Sequence, residues 1–238
     1  MQTILPQISM RKAAMVAGYA IVLMTLAAVV ATDVTIGPLI IDEDPTPTFK
    51  NISENLLVFR MGILSWIIVL ICDIVAAWGF YFFFKPVNNG ISLLTAWIRI
   101  VYTAMLGSSI MNYNYVLELI DSPTRLIAVD NVNIESQTWF FLNSFDSSWS
   151  LGLLVFGLHI FLLGYLSLKS AYVPKFISIF LMIGAFGYVT VHLSNLLIPQ
   201  HPEVIQILGW VFIIPMLSEV ALGLWLLIKG KNIQIDQT

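Results

Sequence analysis

Charge is scarce in this chain. Of its 238 residues only 11% are Asp, Glu, Lys or Arg, against roughly a quarter in soluble domains, which excludes an ordinary water-soluble globular protein. Cysteine is scarcer still: Cys72 stands alone, so no intrachain disulfide can form and the redox compartment is unreadable. Its place in an apolar run beside Asp73 reads as a small buried side chain. There is no basic run or aromatic-interleaved basic patch, and the net charge is -3, so nucleic acid is excluded as a partner. The three histidines, His159, His192 and His201, lack close ligand spacing, so no metal is expected. No cofactor fingerprint is present.

What the chain does have is apolar residues, 58% of the total, arriving in blocks of about 20 or more. Such blocks cross a hydrocarbon core roughly 30 Å thick as helices, whereas barrel strands would read as short alternating segments. The expected fold is an all-α, polytopic membrane helix bundle of six transmembrane helices forming a single domain over 1–238. The spans run over about 13–31, 56–84, 92–117, 139–168, 176–198 and 204–228. The first follows Arg11 and Lys12 and exceeds the usual signal-peptide core, so it reads as retained; the alternative is a cleaved signal ending near Ala31. Lys85-Pro86-Val87-Asn88-Asn89-Gly90 reads as a tight turn between the second and third spans.

Basic residues set the orientation. Arg11, Lys12, Lys85, Lys169, Lys175, Lys229 and Lys231 fall at one end of the spans, while Lys50 and Arg125 fall at the other, which predicts both termini in the cytoplasm. The outer segment Asp33 to Asn55, with Asp42-Glu43-Asp44-Pro45-Thr46-Pro47, reads as an exposed, partly extended loop. Its Asn51-Ile52-Ser53 matches a glycosylation sequon too short to carry a function.

Four ionisable residues lie inside spans, where each costs a few kcal/mol or more: Asp73, Arg99, His159 and Glu219. Asp73, His159 and Glu219 stand 10 to 12 positions before Lys85, Lys169 and Lys229, roughly 15 to 18 Å from the inner boundary at 1.5 Å per residue. Arg99 lies at roughly 12 Å by the same count. The four therefore form a candidate functional layer near the midplane. Asp73 and Arg99, on adjacent antiparallel helices, are expected to pair through bidentate hydrogen bonds, either as a structural clamp or as an anchor for an anionic group. His159 and Glu219 lack so close a neutraliser and are expected to pair with each other or to bear the chemistry. Pro215, four residues before Glu219, is expected to leave the turn leading to that carboxyl kinked or partly open.

A second polar tier lies nearer the outer face, with Asn112, His192 and Asn195 foremost and Arg60, Asn114, Asn143 and Asp146 beside them. His192 and Asn195, spaced i and i+3, share a face that could hydrogen-bond to the third span. Arg60 reads as a snorkelling boundary residue.

The ordered segments Phe59-Arg60-Met61-Gly62, Cys72-Asp73-Ile74, Lys85-Pro86-Val87-Asn88, Trp97-Ile98-Arg99, Phe156-Gly157-Leu158-His159, Leu163-Gly164-Tyr165-Leu166, Ile213-Ile214-Pro215 and Leu224-Trp225-Leu226-Leu227-Ile228-Lys229-Gly230 resemble a family of bacterial integral membrane proteins. It is known as domain of unknown function 4386. The resemblance implies a multi-helix protein of the bacterial cytoplasmic membrane, carries Asp73, Arg99, His159 and Glu219 onto polar positions of the pattern, and implies no activity. Around Asn143 to Trp149 the chain departs from the pattern, which has a histidine near Asp146, so Asp146 gains no role from it.

Two function classes follow. Small-molecule or ion/proton-linked transport or binding would use the mid-membrane carboxylates and His159 as ion sites and Arg99 to set substrate charge. An intramembrane enzyme acting on a lipid or isoprenoid would use Asp73, His159 or Glu219 as acid and base, although no nucleophile motif accompanies them. A receptor, immunity or assembly role without turnover stands third. The expected partners are the lipid bilayer, a small-molecule, ion or lipid ligand, and a second copy, since no inverted repeat is visible within one chain.

Overall fold

The computed structural model describes residues 8–41, 44–121 and 133–230. Asp42, Glu43, Ser122, Pro123, Arg125, Asp130 and Lys231 lie outside them. The described residues form helices and no strand: α1 (Met10–Val29), continued by a π-turn over Val30–Ile36 and a 3-10 turn over Gly37–Leu39, then α2 (Pro45–Glu54), α3 (Leu56–Phe84), α4 (Asn89–Asp121), α5 (Ile134–Lys169), α6 (Lys175–Leu197), α7 (Pro202–Met216) and α8 (Ser218–Ile228). Six stretches are long and apolar enough to cross a membrane: Met10–Leu39, Leu56–Phe84, Asn89–Asp121, Ile134–Lys169, Lys175–Leu197 and Pro202–Ile228. The chain is a multi-pass membrane protein by this measure, and the observed helices overrun the expected spans mainly at their polar ends.

The segment after the first span is extended at Ile40 and Asp44 and is otherwise mostly helical in its described residues. Thr32 and Thr35 donate their hydroxyls to the Ala28 and Ala31 carbonyls, which lets helical structure persist through loosened turns. Pro45 at the first position of α2 has no N–H to leave unsatisfied there and so starts that helix readily. The sixth span opens at Leu217 (φ -77°, ψ 1°), where α7 gives way to α8, two residues past the proline and two before Glu219.

The chain divides into two compact units. One draws on Met24–Ile71 and Ala104–Gly152 and has an aromatic core. Trp66 meets Phe145 and Trp149 with ring centroids 5.2 and 4.9 Å apart, and Tyr113 stacks on Phe145 at 4.1 Å. Arg60 does not simply snorkel there, since its Nη2 bonds Asp121 at 2.6 Å. The other unit draws on Met1–Leu23, Cys72–Thr103 and Leu153–Thr238, and it contains the whole candidate layer.

Within this second unit the helices bury polar residues because those residues share the inward stripe. On α3 the buried positions include Cys72, Asp73, Ala76, Ala77, Phe80, Phe83 and Phe84; on α4, Ser92, Thr95, Arg99, Tyr102 and Thr103; on α5, Phe156, His159, Ile160, Leu163 and Leu166; on α8, Ser218, Glu219, Leu222, Gly223 and Leu226. Each set follows the three- and four-residue spacing of one helix face. Glycine lets two of these elements close up: a Cβ on Gly184 of α6 would collide with the Pro215 carbonyl of α7, and one on Gly223 of α8 would come within 2.7 Å of Ile21 on α1. The turn between α5 and α6 is tied down by Tyr172, whose hydroxyl donates to the Phe83 carbonyl at 3.3 Å. Burial pushes that phenol up to about 12.

Candidate functional site

The guanidinium of Arg99 is the centre of the layer. It is wholly buried, so each N–H that water would have bonded needs a protein acceptor. Nε and Nη2 both donate to the same oxygen of Asp73, Oδ1, at 2.9 and 2.6 Å. The expected fork, with one bond to each carboxylate oxygen, is therefore not formed. Asp73 is 1% exposed, and its Oδ2 has no hydrogen-bond partner.

Nη1 donates to Glu219 Oε1 and lies 3.0 Å from His159 Nε2. The expectation that His159 and Glu219 lack a local neutraliser is thus corrected: both converge on Arg99. They do not hydrogen-bond each other, since Nε2 and Oε1 are 3.9 Å apart. A guanidinium has no acceptor, so Nε2 must accept from it; the Thr95 carbonyl, 2.9 Å from Nδ1, cannot donate, so Nδ1 carries the hydrogen. His159 is then the neutral Nδ1–H tautomer, tying α5 to α4 and adding no charge. Formally, two carboxylates face one cation, leaving one negative charge in excess.

Aromatic rings cover this hub. The Arg99 Cζ lies 5.7 Å from the Phe80 ring centre and 5.5 Å from that of Phe156, within cation–π range. Phe156 also stacks on His159 at 5.6 Å and meets Tyr188 edge-on at 5.1 Å. The Tyr188 hydroxyl donates to the Met216 carbonyl at 3.4 Å, at the break that precedes Glu219. Helix periodicity could have identified several of these participants: Thr95 stands four residues before Arg99, Phe156 three before His159, and Phe80 seven after Asp73. Tyr188 leaves no such trace, because its link to the layer runs through a backbone carbonyl of another helix.

The outer tier is divided between the two units. Asn112 belongs to the unit with the aromatic core and donates to the Ser109 carbonyl of its own helix at 3.0 Å, as Asn143 does to Trp139 at 2.8 Å. His192 and Asn195 belong to the unit with the layer. His192 stacks with Tyr188 at 6.3 Å, while Asn195 lines an open surface cleft of roughly 670 Å³ with Pro199, Pro202, Glu203, Ile205 and Gln206. Among the described residues no group of three or more His, Cys, Asp or Glu is placed to hold a metal.

Comparison with known proteins gives a consistent but reticent picture. An "Uncharacterized protein" of the archaeon Archaeoglobus fulgidus is 28% identical over 175 residues, which is 72% of this chain and 85% of that protein. No solved structure matches. The family described as Domain of unknown function (DUF4386) matches residues 16–230, a range that includes all six apolar stretches in whole or large part and all four residues of the Arg99 layer, and the chain belongs to that family.

Proposed function

We propose that this protein is a carrier or binding protein of the bacterial cytoplasmic membrane, with both termini in the cytoplasm, that takes up a small molecule or ion at the Arg99 layer together with a proton. The observation that carries this reading is the imbalance at Arg99: two buried carboxylates on one guanidinium, with Asp73 Oδ2 left without a partner. A net charge at bilayer depth is costly, and a purely structural clamp would be expected to balance one carboxylate against one arginine with every oxygen bonded. One proton, or one bound cation, restores neutrality without moving the helices. The neutral His159 supports the same reading, since it holds Arg99 through a hydrogen bond and leaves the charge balance to the carboxylates.

The test is infrared difference spectroscopy of the purified protein, titrated from neutral to mildly acidic pH. A carboxylic-acid C=O band should appear and should be lost in Asp73→Asn or Glu219→Gln. Proteoliposomes loaded with a pH-sensitive dye then separate carriage from binding, because only a carrier acidifies the lumen under an imposed potential. A wild-type difference spectrum without the band would sink the proposal.

A further inference from the structure

Asp73 and Glu219 hold Arg99 in unequal ways. Asp73 receives two N–H groups from within a continuous 29-residue helix. Glu219 receives one, sits in the first turn of an 11-residue helix that starts at the Leu217 break, and is the most exposed of the four layer residues, at 6% against 0 to 1% for the others. If Glu219 withdraws, Nη1 still has His159 Nε2 at 3.0 Å, so each guanidinium nitrogen keeps one acceptor. Glu219 is the arm built to leave.

What it would uncover is a guanidinium edge walled by the rings of Phe80 and Phe156, with the Ser218 hydroxyl, buried and unpartnered, on the adjoining residue. That combination suits a carboxylate at one end of an apolar or aromatic body. We infer that Glu219 is an internal stand-in for substrate, and that the carboxylate of a small, apolar-tailed organic acid replaces it on Arg99 Nη1 when the start of α8 turns about Leu217. This rests on the proposed function and names the substrate class for it.

The test uses benzoate as the probe, with benzylamine as the charge control, on full-length protein in detergent. Without the competing internal anion, Glu219→Gln should bind benzoate about tenfold or more tighter than wild type by calorimetry, because the competent state no longer has to be won from Glu219. Glu219→Ala, which opens the position, should regain thermal stability on adding benzoate but not benzylamine, and Asp73→Ala should not. Benzoate binding equally to wild type and Glu219→Gln, or stabilising Asp73→Ala as much as Glu219→Ala, would overturn the inference. So would the absence of any benzoate effect. Either result leaves the infrared carboxyl band to judge the proposed function separately.

Discussion

At the scale of single residues, the layer follows from the chemistry of a buried arginine. Removing a cation from water costs several kcal/mol, and only close anions with well-aimed hydrogen bonds offset that. Asp73 supplies the larger share, so Asp73→Ala should destabilise by about 3–5 kcal/mol, in the range for breaking a buried pair. Asp73→Asn should cost less, because the amide oxygen can still accept from Nε and Nη2. Glu219→Ala should fall below Asp73→Ala, since one bond is lost and His159 remains on Nη1. Melting temperatures in one detergent rank the three variants, and equal losses would refute the unequal roles. The sequence reveals the four ionisable residues and their common depth, because a charge in an apolar run is conspicuous and helical rise is constant. It does not reveal that all four meet at one guanidinium, since depth along helix axes says nothing of rotation about them or of which helices neighbour which. The missing bidentate fork is a rotamer-level fact, invisible to spacing.

At the scale of elements, the sixth span is the one on which the proposed function leans most. Pro215 lacks an N–H, so the bond it would have donated back along α7 is absent, and the helix restarts only at Ser218. The sequence marks the disturbance but not which neighbour packs against it. That neighbour is Gly184, whose missing side chain admits the Pro215 carbonyl. Gly184→Val should therefore destabilise by about 1–3 kcal/mol through overpacking and loosen the seat of Glu219. Gly209, on the same broken span, would meet nothing within 4 Å of an added Cβ, so Gly209→Ala should be neutral or stabilise by up to about 1 kcal/mol through helix propensity. The paired melts isolate the close approach from the general effect of replacing a helical glycine. A valine tolerated at 184 would mean that α6 and α7 do not need to touch there. The other element-scale surprise, α2, has a comparable origin. Its prolines read as part of an exposed, partly extended stretch, yet Pro45 falls at a helix start, where proline is favoured, and only the Asp44 backbone before it is extended.

At the scale of the whole molecule, six apolar stretches were legible because hydrocarbon thickness sets a minimum length that few other structures need. The division into two compact units was not legible, since α1, α3, α4 and α5 each contribute residues to both and no break in hydropathy marks the boundary. Orientation is the property on which the functional reading depends most, because the side from which the layer loads decides the direction of any coupling to a membrane potential. The Lys and Arg excess near Lys85, Lys169, Lys175 and Lys229 predicts that those ends lie in the cytoplasm. Single cysteines in a Cys72→Ala background test this. A cysteine at Gly90, exposed beside the α3–α4 turn, should react with a membrane-impermeant maleimide only after the cells are opened. A cysteine at Lys50, exposed on α2, should react on intact cells. The reverse pattern would invert the molecule, so that a proton drawn inward by a negative-inside potential would enter past the Lys85 end, and reaction of both sites on intact cells would break the six-span topology itself.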